Sequence, residues 1–209
     1  MTTALKTTRN VAGAGAIACC VAFLPAWEGM DKVARKDDIG TGHPVTYCYG
    51  QTDEFGKVKV GTRFTKQECD AKLAESLPRY LVPLQACVKV PLPDKTMASL
   101  LDAAYNAGSA AVCRSPMVAK MNAGNIRAGC EAFYYKDKNG NEHGWYIRSD
   151  GKVRKGLVAR RGGLPNDSRK SERQLCLEGL TEKRDALPAP APRPYVATPK
   201  CPSWWRKCA

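Results

Sequence analysis

Ten cysteines in a chain of 209 residues constrain the fold before any other feature does. A reducing compartment rarely holds so many thiols, and the even count fits disulfides formed in an oxidising one. The length suits one compact domain with terminal extras, and a hydrophobic content of 44% supports an ordinary core. A zinc site would need paired C-x2-C or Cys/His spacing. The cysteines show none, and the two histidines, His43 and His143, do not pair with them. Neither a metal nor another cofactor is expected. The net charge of +13 suits an anionic partner: nucleic acid, a membrane face or a cell wall. No nucleic-acid motif accompanies the charge, and the basic residues are scattered rather than striped, so an envelope surface is expected and nucleic acid is not.

The N-terminus points the same way. Lys6 and Arg9 precede an uncharged run, Val11 to Trp27, of about seventeen residues. By the positive-inside rule the tail stays in the cytoplasm and the rest is exported. The run is rich in Gly and Ala, weakly hydrophobic, and at the lower length limit for spanning a bilayer. Cleavage near Ala26 would put Leu24 at the small-residue position and strip the chain almost to Glu28, which argues for retention over a cleaved signal peptide. Ala16-Ile17-Ala18-Cys19 makes a poor lipobox. A segment of this kind can enter a membrane and leave it again. Three parts are expected: a segment at 1–26 that crosses the membrane, a catalytic domain at 27–182, and a tail at 183–209.

Chemistry concentrates between Trp27 and Thr52. Glu28, Asp37 and Thr46 fall there, ahead of a Tyr49-Gly50-Gln51-Thr52 turn. A carboxyl in an apolar setting, with Trp27 and Met30 as neighbours, has its pKa raised and donates a proton at neutral pH. A better-solvated carboxylate stays ionised and activates water or steadies a cation. Glycosidic bond cleavage needs that division of labour.

These residues resemble the phage lysozymes of glycoside hydrolase family 24, whose pattern is E-x8-D-x5-T followed by a G-x-T turn. Glu28 and Asp37 keep the first spacing, and Lys36-Asp37-Asp38-Ile39-Gly40 matches the family's K-D-x-x-G. Thr46 lies nine residues after Asp37, so about three extra residues sit in Gly40–Val45. Both spacings favour Asp37 over Asp38. The resemblance implies an α+β, lysozyme-like fold with a small β lobe, a larger helical lobe and a cleft between. It also implies a muramidase acting on the β-1,4 bond between N-acetylmuramic acid and N-acetylglucosamine of peptidoglycan. Glu28 would be the acid, Asp37 would orient or activate water, and Thr46 would position it. A monomer is expected. The rival readings are a lytic transglycosylase and a non-enzymatic envelope-binding protein. The N-terminal run resembles the signal-arrest-release segments of exported phage endolysins, which tether an inactive enzyme to the inner membrane before escape to the periplasm.

Along the rest of the chain, Thr46–Phe64 reads as a hairpin, with a turn at Asp53–Gly56. Thr65 and Glu68 form a capping box opening a helix that Pro78 and Pro83 interrupt or end. A helix from Asp94 carries Met97, Leu100, Leu101 and Ala104 on one face and ends at Asn106-Ala107-Gly108. Ser115-Pro116 starts the next, and Asn125 caps another. Residues 134–155 are turn-rich; Tyr134, Tyr135, Trp145 and Tyr146 either bury their own hairpin or stack on sugars.

The resemblance extends to Ala104-Tyr105-Asn106-Ala107-Gly108, matching an A-[FY]-N-x-G element, and to G-L-x-x-R-R at 156–161 with E-R-x-L-C-L at 172–177. It implies Tyr105, Asn106 and Arg160 on the substrate; Arg161 is expected to salt-bridge within the protein. Gly162–Lys170 looks inserted. Cys113 and Cys130 flank a helical pair and are expected to bond, with Cys87 and Cys176 as a second pair. Cys19 and Cys20 are either small apolar residues or a redox switch whose nearest exchange partner is Cys48. After Leu180 a Pro-rich linker leads to a tail with Cys201, Trp204, Trp205 and Cys208, which the resemblance does not cover.

Overall fold

The computed structural model describes residues 3–37, 44–146, 148–149, 152–162 and 167–182. The Pro-rich tail, its two cysteines and Asp38 lie outside the described residues.

The N-terminal run forms α1 (Thr3–Phe23), followed by a single turn, α2 (Pro25–Glu28), with Pro25 at its first position. Ala16, Cys20, Phe23 and Leu24 of this region are buried at helical spacing. Cys20, Phe23 and Leu24 share one apolar cluster with Leu100, Leu101 and Leu175. The helix seats closely because it is built of small residues. A side chain at Gly13 would meet Leu81, and one at Gly15 would meet the Asp94 carboxylate. The boundary expected between 26 and 27 is therefore not a gap in packing. Among the described residues no helix is long and apolar enough to cross a membrane.

The β lobe departs from expectation. β1 (Asp31–Lys36) pairs antiparallel with β2 (Val45–Cys48), with Arg35 opposite Thr46 and Lys36 opposite Val45. The other edge of β1 takes residues 62–64: Ala34 N donates to Thr62 O and Phe64 N to Lys32 O, both at 2.8 Å. The expected hairpin of 46–52 with 57–64 is not formed, and Asp53–Phe55 is one turn of 3-10 helix. The sequence D-K-V-A-R-K hides β1 because Ala34 alone of its six residues is buried, so no apolar alternation marks it.

The helical lobe follows the sequence more closely. α3 (Lys66–Ser76) starts at a full Thr65–Glu68 capping box. Pro78 does not end a helix but begins α4 (Pro78–Cys87), and Pro83 lies inside it, where it leaves the Arg79 carbonyl without an intrahelical donor. α5 (Asp94–Ala107) is the central helix, buried almost without a break from Ala98 to Ala104 and flanked by α1 and by α10 (Glu172–Thr181). Around it lie α6 (Ser109–Cys113), α7 (Pro116–Asn122), capped by Ser115, and α8 (Ile126–Glu131), capped by Asn125. Two short hairpins follow, β3 (Tyr134–Lys136) with β4 (Glu142–Gly144) and β5 (Arg148–Ser149) with β6 (Lys152–Val153), before α9 (Lys155–Arg161).

Three disulfides staple these pieces: Cys48–Cys69 joins β2 to α3, Cys87–Cys113 joins α4 to α6, and Cys130–Cys176 joins α8 to α10. The expected pairs Cys113–Cys130 and Cys87–Cys176 are not formed. α6 packs on α4 and α8 on α10, so the chain between Cys113 and Cys130 carries them to opposite neighbours. Cys48, expected as an exchange partner, is held by Cys69, and Cys19 and Cys20 are free thiols.

Candidate active site

Glu28 ends α2, and Gly29 follows at φ 73°, a left-handed conformation that glycine tolerates and that turns the chain into β1. Trp27 is engaged by residues 169 and 170. Its indole donates to the Lys170 carbonyl at 3.1 Å and its ring lies under the Arg169 guanidinium, 3.9 Å away. Glu28 meets a cation. Arg160 Nη1 donates to Glu28 Oε1 at 2.5 Å, while about a quarter of the Glu28 side chain (24%) remains exposed. Among the described residues Glu28 Oε2 has no hydrogen-bond partner.

Arg160, expected on the substrate, is 5% exposed. Its Nε and Nη2 donate to the two oxygens of Asp102, at 2.8 and 2.9 Å, a bidentate pair in the core of α5. Burial alone would pull its guanidinium down, but Asp102, Glu28 and Glu172 outweigh burial and hold the charge. Both ends of its fork are taken by protein carboxylates.

Arg161 salt-bridges within the protein, as expected. It binds Glu172, donates through Nε to the Trp145 carbonyl at 3.1 Å and through Nη2 to Asn106 Oδ1 at 3.0 Å, and lies 5.0 Å over the Trp145 ring. Glu172 is fully buried. Burial pushes its carboxyl well above the usual range, Arg161 pulls it back, and the adjoining Asp102 raises it again. Its Oε2 has no hydrogen-bond partner among the described residues. Glu28, Asp102 and Glu172 thus meet Arg160 and Arg161 in one cluster. Cys20 of α1 borders it; burial first, then Asp102, pushes the thiol well up, so it stays protonated.

Asp37 stands at the other side of the sequence motif, where β1 ends. Its backbone N–H donates to Pro44 O at 2.8 Å. Thr46 Oγ1 lies 3.4 Å from Asp37 Oδ2 and donates to it. Thr46 is nearly buried and Asp37 half-buried.

Tyr105 joins the halves. Its hydroxyl donates to the Tyr49 carbonyl at 2.7 Å, and its ring lies 5.3 Å from that of Tyr80. Burial, then the nearby Glu28, pushes the Tyr105 phenol up, so it remains a donor. Asn106 is exposed, with Oδ1 on Arg161. The structure thus joins Glu28 to Arg160, Asp37 to Thr46, Asn106 to Arg161 and Tyr105 to the β lobe. It does not join Cys19 or Cys20 to any of the three disulfides.

Of the expected hairpin aromatics, Tyr134 is buried, Trp145 packs under Arg161, and Tyr135 is half-exposed, stacked on His143 at 4.8 Å. Two cavities of about 650 and 590 Å³ flank Tyr135 and Lys136. Neither is lined by Glu28, Asp37 or Thr46, and the chemistry follows the carboxylates rather than the volume. Sequence reasoning missed Asp102 and Glu172. Their signals were a lone acid inside the apolar run Leu100-Leu101-Asp102-Ala103-Ala104 and the Glu that opens E-R-x-L-C-L.

Comparison with known proteins places this arrangement. The SAR-endolysin of Enterobacteria phage PA-2 is 28% identical over 180 residues, 83% of this chain and 95% of that protein. The SAR-endolysin of bacteriophage PS119 is 29% identical over 152 residues, 73% of this chain and 77% of the relative. The active form of the P1 phage endolysin Lyz superposes with a TM-score of 0.57 at 20% identity, covering 87% of this chain and 93% of that one. A P22 lysozyme mutant gives 0.56 at 22%, covering 78% and 96%. These two likenesses show a lysozyme-like α+β fold. The Phage lysozyme family model matches residues 25–163, a span that holds Glu28, Asp37, Thr46 and Arg160, and the chain belongs to the phage lysozyme family.

Proposed function

We propose that this glycoside hydrolase is an exported endolysin that cleaves the β-1,4 bond between N-acetylmuramic acid and N-acetylglucosamine in peptidoglycan by hydrolysis. The observation that carries the reading is the Thr46–Asp37 pair, set apart from a Glu28 that is held by Arg160. Because Glu28 Oε1 accepts from Arg160, a proton on this carboxyl resides on Oε2, the oxygen without a partner. Glu28 gives that proton to the leaving glycosidic oxygen. Asp37, ionised, orients and deprotonates a water on the opposite side of the sugar. Thr46 donates to one Asp37 oxygen and so orients the carboxylate towards that water. Attack by water on the far face inverts the anomeric carbon. Asn106 offers its amide N–H groups to the substrate.

The uncharged run with Lys6 and Arg9 before it, and relatives named SAR-endolysin, support a reading in which residues 1–26 tether the enzyme to the inner membrane and later leave it for the periplasm. Weak hydrophobicity suits departure, and the close packing of Gly13 and Gly15 on α4 and α5 gives the freed helix a place in the folded domain.

Mass spectrometry of purified peptidoglycan after digestion tests the reaction. Muropeptides with free reducing ends are expected. Anhydro-muramic products would make the chain a lytic transglycosylase, and intact glycan would make it a binding protein.

A further inference from the structure

Arg160 has one carboxylate on each side. Asp102 takes the edge formed by Nε and Nη2, at 2.8 and 2.9 Å, and Glu28 takes Nη1 at 2.5 Å. A guanidinium is rigid and planar, so gripping one edge fixes where the remaining nitrogen points. Arg160 comes from α9, at the far end of a flexible stem. Asp102 comes from the most buried helix of the fold and has no exposed surface. The groups facing Asp102 are Arg160 of α9, Glu172 of α10, which also binds Arg161, and the Cys20 thiol of α1. α1 and α10 both pack on α5, and the pair is shielded from water.

We propose that Asp102 is a positioning residue for the catalytic acid: it fixes Arg160, and Arg160 in turn fixes Oε1 of Glu28 so that Oε2 faces the bond to be cleaved. The inference rests on the reading of Glu28 as the acid. It explains why an aspartate stands in the middle of an apolar helix that would pack more readily with alanine or serine at that position. An arginine held by Glu28 alone would swing with the Glu28 side chain, and an aspartate without Arg160 would be a bare buried charge.

The test uses the full chain in its oxidised form, assayed on purified peptidoglycan for kcat, KM and the pH–rate profile. Asp102→Asn keeps the shape and removes the charge. It is expected to lower kcat on the order of 100-fold, the loss that a small misplacement of a reacting group produces, with KM within about 2-fold. The alkaline limb of the profile is expected to move to lower pH, because Arg160 then has Glu28 as its main carboxylate partner. Arg160→Lys, which cannot span both carboxylates, is expected to lose as much, and the double variant no more than either single one. Should Asp102→Asn fail to fold, Asp102→Glu keeps the charge and displaces the fork by one methylene, with the same kcat loss expected. Unchanged kcat per folded molecule in the Asp102 variants, or additive losses in the double variant, overturns the inference. Glu28→Gln is assayed alongside. If it is fully active, the reading of Glu28 has failed; if it is inactive while Asp102→Asn is unaffected, only the positioning role has.

Discussion

The Tyr105 hydroxyl donates to the Tyr49 carbonyl at 2.7 Å, across the seam between the central helix and the end of strand β2. That bond ties the lobe carrying Asp37 and Thr46 to the helix carrying Asp102. Tyr105→Phe removes the donor and leaves the carbonyl of a buried residue without it. The expected cost is about 1 kcal/mol of stability, read by urea denaturation. A rise in KM larger than the fall in kcat is expected as the cleft loosens.

Glu172 makes stability depend on pH in an unusual direction. Its carboxyl lies well above the ordinary value of 4.5 in the folded protein. The folded state therefore binds more protons than the unfolded one above that pH, and stability falls as pH rises. Glu172→Gln keeps the oxygen that Arg161 binds and gives Asp102 an amide donor. The Tm of the variant, measured against wild type, is expected to gain steadily from pH 5 to pH 8. A Tm difference that stays flat, or shrinks, would show that Glu172 is ionised.

The N-terminal helix is part of the fold, and its glycines are the most sensitive points. Gly15→Leu drives a side chain into Asp94. Overpacking of this kind is expected to destabilise by about 1–3 kcal/mol and to expose Cys20. Native-state alkylation followed by peptide mapping reads this out. In wild type the Cys20 peptide stays unlabelled, since the thiol is buried and held protonated; in Gly15→Leu it is labelled.

Among the described residues Cys130–Cys176 closes the longest disulfide loop, a separation of 46 residues. Replacing both by alanine is expected to cost about 2–5 kcal/mol. Thermal unfolding of the double variant checks it.

What the sequence made legible is local. Glu28, Asp37 and Thr46 lie within one short stretch, where their spacing can be read directly. The Thr65–Glu68 capping box and the Ser115 and Asn125 caps act within three residues, and each is where its signature places it. What stayed hidden depends on distant neighbours. Asp102 and Arg160 are 58 residues apart, and nothing in either segment names the other. Arg160 is legible as part of a G-L-x-x-R-R motif, but its partners are not, because only the folded core brings Asp102 and Glu28 to its fork. The disulfide pairs follow from which helix packs on which, and β1 was masked by its charges.

Activity of Glu28→Gln tests the central claim most directly. The oxidised full chain and the variant are incubated with purified peptidoglycan, with folding checked by circular dichroism and products resolved by mass spectrometry. The account predicts reducing-end muropeptides from wild type and none above background from a fully folded Glu28→Gln. Wild-type yields from the folded variant would contradict it and return the search for the acid to the other carboxylates of the cleft.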